Sequence, residues 1–368
     1  MLAAVLTATI FPIHITAFRS KLYMKNKYYW LLVLICFIAC NKTNKTNLIY
    51  SNSPDIEKIV MDSINLSGAK IINSDRLLVF NDYIVNVNSN CKDSILQFWN
   101  LSSHNYAGSA GALGRGPNDF SFFNQLCCHF HNNKFHVFEQ YCYSDYDVAF
   151  KDNRVILKRL NKIGSEFVLS NAFLSYGNNI SVLKTNNDNF CEFYLATPNE
   201  NKHQEWLTYP KLPDIKGIPS EFLSTAFHSH VVFGPDSLFA ALYAYYPMLS
   251  IQSIQNQQRK FFVLDDWTGQ YVRYFKNEGK LQTDKMCYHE ACSNNQIICG
   301  LYFGMNSSDI PNADINTFRP EIHVWDWDGK LIKKLKVNRF VNHITMDEKN
   351  RLYLYSPLED NTIYTIQL

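Results

Sequence analysis

Three histidines stand close enough in the chain for one metal ion to contact all of them. His129, His131 and His136 flank an Asn132-Asn133 pair, and consecutive asparagines are typical of a tight turn between two strands. A two-residue turn places position 129 opposite 136 and position 131 opposite 134, so that the three imidazoles share one face. Imidazole is a ligand that Zn²⁺ and Cu²⁺ accept readily. The alternative is a solvated polar face on an ordinary antiparallel hairpin.

We expect no cofactor here, and zinc or another divalent metal at these histidines is kept only as an alternative. We identify no carboxylate that would orient the imidazoles, as metal-bound histidines usually require. His228 and His230 also share a strand face but lack a third ligand. Calcium loops, a P-loop lysine and the Gly-x-Ser-x-Gly motif are absent from the sequence. No catalytic residue is therefore nominated.

A glycine-rich loop that carries both a cation and an acid is the second candidate site. It contains Arg115, Gly116, Pro117, Asp119 and Phe120. A loop of this kind could bind an anion or a partner. It could equally be a structural connection between sheets, with Phe120 filling the core. We favour the structural interpretation because aromatic residues dominate the segment.

Short β-strands must position both candidate sites, because no long helical period follows the N-terminal region. Apolar and aromatic runs recur, bounded by turn pairs such as Asn-Asp, Asn-Asn and Asp-Gly. The runs expected to be strands are 76–80, 83–87, 95–99, 134–138, 154–157, 237–243, 260–264, 296–302, 321–325 and 351–355. Many short strands at such spacing indicate a sandwich, a barrel or a propeller.

A repeat favours the propeller among these folds. Residues 261–276, FFVLDDWTGQYVRYFK, align without a gap with residues 321–336, EIHVWDWDGKLIKKLK. Each copy is expected to be a strand, a tight turn in which glycine supplies positive φ, and a second strand. Repeats of about 40–50 residues built from antiparallel strands are typical of β-propellers.

Four stretches resemble segments of the six-bladed β-propeller lipoproteins, TolB-like or NHL-like, of Gram-negative anaerobes. The stretches are 114–120 (GRGPNDF), 232–241 (VFGPDSLFAA), 291–305 (ACSNNQIICGLYFGM) and 321–368, which is similar to the closing blade. Two positions depart from the family's G-x-G-P-G-E-F segment, because Asn118 replaces a glycine and Asp119 replaces a glutamate. The resemblance implies an all-β fold, a six-bladed β-propeller of four-stranded antiparallel blades, over residues 65–368.

The N-terminal region, residues 1–39, is predicted to be a signal peptide. From Met24, two lysines precede an apolar run that ends at Ala39-Cys40, which is the layout of a secretory signal. The run is too short to span a bilayer as a helix. The end of the run, Ala39-Cys40, resembles the lipobox of bacterial lipoproteins. This resemblance implies lipidation at Cys40. The alternative is a chance cysteine in an ordinary signal, and Met24 is the expected true start.

Net charge narrows the possible partners. The whole chain carries +2, but four basic residues and no acid lie in residues 1–39, which leaves 31 basic and 33 acidic residues. This balance argues against a nucleic-acid partner. We expect the membrane to be reached through the lipid, followed by a flexible tether over residues 40–64. Because no acid stands just after Cys40, the periplasmic face of the outer membrane is favoured over the cell surface.

The sequence therefore predicts a lipid-anchored module of the Gram-negative cell envelope that binds an envelope protein or a glycan. The competing prediction is a metal-dependent propeller enzyme, lactonase-like or lyase-like, with a metal in its channel. A secreted eukaryotic glycoprotein is a third class, suggested by triplets such as Asn100-Leu101-Ser102. Eight cysteines follow Cys40 and their pairing is left open. Cys292 and Cys299 flank an expected turn but are not expected to be directly opposite.

Overall fold

The computed structural model describes residues 46–71, 73–152, 154–165, 170, 172–176, 180–184, 191–200, 202–212, 217–256, 258–264 and 271–368. The predicted signal peptide, the start at Met24 and the lipidation of Cys40 lie outside the described residues. Within these ranges, no helix has the length and apolar character needed to cross a membrane. The cysteines in the described ranges are all free thiols.

The described chain begins with three short strands, β1 (Leu48–Ser51), β2 (Ile56–Ile59) and β3 (Asp62–Asn65). Blade 1 then follows with β4 (Arg76–Phe80), β5 (Tyr83–Val87), β6 (Leu96–Asn100) and β7 (Tyr106–Ala110). Blade 2 contains β8 (Cys128–His131), β9 (Lys134–Glu139), β10 (Cys142–Lys151) and β11 (Arg154–Gly164). Blade 3 contains β12 (Ala172–Ser175), β13 (Ser181–Lys184), β14 (Cys191–Thr197) and β15 (Lys202–Thr208).

Blade 4 contains β16 (Ser229–Phe233), β17 (Leu238–Tyr243), β18 (Met248–Ser253) and β19 (Arg259–Leu264). A separate ribbon of β20 (Val272–Phe275) and β21 (Lys280–Thr283) precedes blade 5, which contains β22 (Lys285–Ser293), β23 (Ile297–Asn306), β24 (Glu321–Asp326) and β25 (Leu331–Val337). Blade 6 contains β26 (His343–Met346), β27 (Arg351–Tyr355), β28 (Thr362–Gln367) and β3. One short helix, α1 (Leu223–Ala226), and 3₁₀ turns at Gln125–Cys127, Pro198–Glu200, Ser220–Phe222, Pro235–Ser237 and Ile310–Asn312 complete the described elements.

The first strands of successive blades contact one another around a closed ring, β4 to β8, β12, β16, β22, β26 and back to β4. These are therefore the innermost strands. The ring is closed by β3, which pairs antiparallel with β28 and places Ile64 opposite Ile363. A strand from the start of the chain thus completes the last blade and covers the edge that β28 would otherwise expose. The predicted six-bladed β-propeller of four-stranded antiparallel blades is confirmed.

Residues 46–64, expected to belong to a flexible tether, contain strands in this structure. β1 pairs in parallel with β19 at the outer edge of blade 4, with Leu48 opposite Phe261. β2 pairs in parallel with β25 at the outer edge of blade 5, with Ile56 opposite Lys334. The sheets therefore begin before residue 65. The sequence did not predict this, because the partners of these short strands lie more than 200 residues away in the chain.

The repeat that suggested the propeller does not superpose equivalent strands. In the second copy, β24 and β25 form a hairpin whose turn contains Gly329 at φ +86°. In the first copy, β19 is the fourth strand of blade 4, and β20 pairs with β21 rather than with β19. The alignment therefore matches a third strand with a fourth strand, since strand-turn-strand patterning is the same at every position of a blade.

The predicted strands are confirmed in position. The limits of 76–80, 83–87 and 351–355 match β4, β5 and β27. The largest error is at 154–157, because β11 continues to Gly164 through a polar stretch that pairs with β10.

Candidate functional site: the two ends of the central channel

The histidine hairpin has the register that its sequence predicts. His129 lies opposite His136, and His131 lies opposite Lys134 across β8 and β9. Both turn residues, Asn132 and Asn133, have positive φ, which asparagine tolerates better than most residues. The His129 and His136 rings stack with their centroids 5.3 Å apart.

The surroundings of these imidazoles match neither a solvated face nor a metal centre. His129 and His136 are buried. His136 Nδ1 lies 2.6 Å from the Asp145 carboxylate, and His129 Nε2 accepts the Ser175 N–H at 3.1 Å. Burial, together with the neighbouring His136, lowers the pKa of His129 well below its usual value and keeps it neutral. Across the described residues, no group of three His, Cys, Asp or Glu side chains is placed to hold a metal ion.

Asp145 is the carboxylate that sequence reasoning did not find. It lies on β10, directly opposite His136 in the β9–β10 pairing. His131, by contrast, is only half-buried. The hairpin therefore contributes two histidines to the scaffold and one to an accessible surface.

The Arg115 to Phe120 loop follows β7 and is braced by its own acid. The Asp119 carboxylate accepts the Gly116 N–H at 2.7 Å. A side chain at Gly114 or Gly116 would collide with that carboxylate. Phe120 is fully buried, with its ring 5.1 Å from that of Tyr146. These contacts support the structural interpretation of the loop.

Arg159 on β11 holds the same loop from the neighbouring blade. Its Nη1 donates to the Pro117 carbonyl at 2.9 Å, and its Nη2 contacts the buried Glu139 carboxylate at 3.1 Å. Arg115 itself is exposed. Ligand binding by this loop stays a prediction, and the exposed Arg115 is accessible to such a ligand.

The innermost strands enclose a channel with two unlike ends. At the end we call the crossover end, the chain enters each innermost strand from the preceding blade. At the other, the hairpin end, each innermost strand turns back into the second strand of its blade. Residues near the beginnings of these strands line one cavity, and residues near their ends line another.

A wide funnel of about 1140 Å³ opens at the hairpin end. Its rim consists of short polar turn residues: Asn81, Asp82, Asn132, Asn133, Asn295, Asp347 and Glu348. Neighbouring turns are tied together, because Asn294 Nδ2 donates to the Asp347 carbonyl at 3.0 Å and to Asn350 Oδ1 at 2.7 Å. Lys349 and Arg351 also line the funnel and nearly balance its acids.

Aromatic rings line the funnel below this rim. His131 stacks on Phe233, with centroids 4.8 Å apart and planes 11° from parallel. Phe130 packs against Phe80, with centroids 4.6 Å apart. His131, Phe130 and Phe233 are each half-buried, so part of each ring stays accessible. A polar rim over aromatic surfaces offers both hydrogen bonds and apolar contact.

A narrow cavity of about 200 Å³ occupies the crossover end. All six blades contribute to its lining, chiefly through Arg76, Gln125, Ala172, His230, His289, Glu290 and His343. Burial lowers the pKa of His230 and His289, and it lowers that of the adjacent His228 to about 4. These three imidazoles are therefore neutral near pH 7.

Glu290 and His343 form a buried pair in this cavity. A Glu290 carboxylate oxygen lies 3.4 Å from His343 Nδ1, and the same side chain accepts the Ile344 N–H at 2.6 Å. His343 Nε2 donates to the Ser74 carbonyl at 2.9 Å. Burial acts to lower the pKa of His343, but the Glu290 charge and hydrogen bond outweigh it and leave the pKa raised.

Sequence reasoning found only one of the histidines in this cavity, His230. The others lie on strands separated by dozens of residues, and only ring closure brings them together. No local pattern marks them, because the innermost strands begin with different residue types, among them Arg76 in β4, Ala172 in β12 and His343 in β26.

A closed ring of six antiparallel blades around a channel defines this protein as a six-bladed β-propeller. No family model matches the sequence, and no curated protein matches it. Similar folds occur among solved structures. A crystal structure of a DUF4221 family member from Bacteroides vulgatus is 9% identical, with a TM-score of 0.53, over 88% of this chain and 98% of that chain.

A crystal structure of a candidate exported protein from Bacteroides fragilis is similar to the same degree. It is 11% identical, with a TM-score of 0.52, over 87% of this chain and 98% of that chain. At such identities the likeness concerns the fold alone.

Proposed function

We propose that this protein is a binding module of the bacterial cell envelope that recognises an uncharged glycan in the funnel at the hairpin end. The observation that carries the proposal is the pairing of accessible aromatic rings with a rim of carboxamides and carboxylates. The apolar face of a sugar ring packs against an aromatic ring, and its hydroxyls need short, planar hydrogen-bonding groups. The funnel supplies both.

Charge and rigidity favour a neutral glycan over a charged ligand. Asp82, Asp347 and Glu348 are nearly balanced by Lys349 and Arg351, so the funnel has no strong field of one sign. The rim turns are held in place, since Tyr353 donates to the Asp347 carboxylate at 3.1 Å in addition to the contacts of Asn294. A preformed site loses little entropy on binding.

The location in the envelope rests on the N-terminal sequence. The n-region, apolar run and Ala39-Cys40 support export and a lipid anchor at Cys40. The absence of acids just after Cys40 supports the periplasmic face of the outer membrane. The resemblance to TolB-like and NHL-like propeller lipoproteins and the fold shared with a candidate exported protein of Bacteroides fragilis agree with this location.

The test is a screen of the purified full-length chain against uncharged oligosaccharides, followed by calorimetry on those that bind. We expect micromolar to millimolar dissociation constants. Phe233→Ala should weaken binding about tenfold or more, because it removes a stacking surface. Asn295→Ala, which alters the exposed rim, should weaken it severalfold.

The matched control is Phe122→Ala, since Phe122 is 36% exposed and does not line the funnel. It should bind like the unmodified chain. The proposal fails if no uncharged oligosaccharide binds while an envelope protein does. It fails equally if both funnel variants retain full affinity.

A further inference from the structure

Arg76 occupies an unusual position at the crossover end of the channel. It is the first residue of β4, and its Nη1 donates to the carbonyls of Gln125 at 3.1 Å and Cys128 at 2.9 Å. These bonds connect Arg76 of blade 1 to the start of blade 2, and the guanidinium lines the 200 Å³ cavity. Both of these carbonyl bonds come from Nη1, and the guanidinium also interacts with the Cys128 thiol. The guanidinium has five N–H groups, so donors remain for a ligand.

The acids near Arg76 are engaged elsewhere. The Asp75 carboxylate accepts the N–H and the hydroxyl of Ser89, both at 2.6 Å. Glu290 is bound to Ile344 N–H and faces His343. Within the described residues, no carboxylate lies within 4.0 Å of the Arg76 guanidinium, whereas the similarly half-buried Arg159 and Arg259 each have one. A partly buried guanidinium without an acid partner is costly unless an anion compensates it.

Two imidazoles add hydrogen-bonding capacity to the same cavity. His230 and His289 line it, and neither ring makes a hydrogen bond to the described residues. The His289 ring is held against Phe303, with centroids 4.6 Å apart, and that of His230 contacts His228 at 5.4 Å. Packing thus positions both rings, and each neutral imidazole has one N–H that can donate to a ligand.

We propose that the crossover-end cavity binds a small oxyanion, a phosphate or a short carboxylate, with Arg76 as its principal partner and His230 and His289 as additional donors. A guanidinium matches the two oxygens of either anion in a fork geometry. The volume is well below the roughly 300–1,000 Å³ of drug-sized pockets, which restricts the ligand to a few heavy atoms. This site is separate from the glycan funnel.

The experiment measures binding of inorganic phosphate and of succinate to the full-length chain by calorimetry, at constant ionic strength set with sodium chloride. At least one anion should bind with a dissociation constant of about a millimolar or tighter. Arg76→Gln should weaken binding about tenfold or more, and His289→Gln about threefold or more. Binding of phosphate alone, or of succinate alone, shows which class of oxyanion the cavity accepts. Either result supports the proposed site.

Arg351→Gln is the control, because Arg351 is an exposed arginine at the other end of the channel; it should bind like the unmodified chain. Arg76→Gln could fail to fold because Nη1 joins two blades. In that case the affinity of His289→Gln for the anion tests the proposal. The proposal is overturned if neither anion binds, or if every folded variant binds as tightly as the unmodified chain. Loss of binding in EDTA would overturn it as well, because the anion would then be held by a metal.

Discussion

The two ends of the channel are built from the same six innermost strands, yet they differ in nearly every physical property. At the hairpin end, turn residues project into solvent around a wide funnel. At the crossover end, residues of the strands themselves converge on a cavity about one sixth as large. The difference teaches that strand ends in a propeller are not equivalent: turns tolerate variation, whereas converging strands must satisfy one another's charges.

The sharpest test of this contrast is the removal of one acid from each end. Glu290→Ala should lower the free energy of unfolding by about 2–4 kcal/mol, because Ile344 N–H and His343 lose their buried partner. Glu348→Ala removes an exposed acid of the funnel rim and should change it by less than about 0.5 kcal/mol. Urea denaturation of both variants provides the measurement. Equal losses would mean that the two ends are equally coupled to the core.

A smaller effect is expected from the protonation of His343. Its pKa is raised in the folded protein above 6.5, so folding favours the protonated form. The resulting stabilisation is complete below about pH 6.5 and is lost as the pH rises through the higher folded value. His343→Gln should therefore be most destabilising, relative to the unmodified chain, near pH 6 and progressively less so towards about pH 9.

The measurement is the free energy of unfolding of both proteins across that range. The pKa values of His228, His230 and His289 are lowered in the folded state, so these residues also make stability depend on pH, but equally in both proteins, and their contribution cancels in the difference. A difference between the two proteins that stays constant with pH would contradict the assignment of a charged His343 beside Glu290.

The smallest effects belong to the hairpin end, at its turns. Asn133 has a φ of +59°, a conformation that glycine adopts without strain. Asn133→Gly should change stability by less than about 0.5 kcal/mol, whereas Asn133→Ala should cost about 1 kcal/mol. Thermal unfolding of the pair tests this. A large loss for the glycine variant would show that the Asn133 side chain carries a structural contact.

Two hairpins show how far local sequence determines register. The two-residue turn at Asn132-Asn133 has the predicted pairing throughout. At the β22–β23 turn the prediction was wrong, because Cys292 lies directly opposite Cys299. There the Asn294 side chain accepts the N–H groups of Gln296 and Ile297 at 2.9 and 3.1 Å. This side-chain cap lengthens the turn by two residues and shifts the register accordingly.

The candidate sites were predictable to different degrees for the same reason. His131, which lines the funnel, was found because its hairpin is local. Arg76, Glu290 and His343 were not, since Arg76 and His343 alone are 267 positions apart in the chain. Nor did the chain pattern reveal that Asp145 would contact His136, although these two residues lie on adjacent strands.

The sequence by itself determined the all-β class, the position of most strands and the geometry of the two-residue turn, because alternation and turn chemistry act over a few residues. Only the tertiary structure decided that β3 closes blade 6, that β1 and β2 extend two other blades, and that six strand starts meet around Arg76. Those contacts depend on ring closure, which is a property of all six blades together and leaves no mark in any one segment.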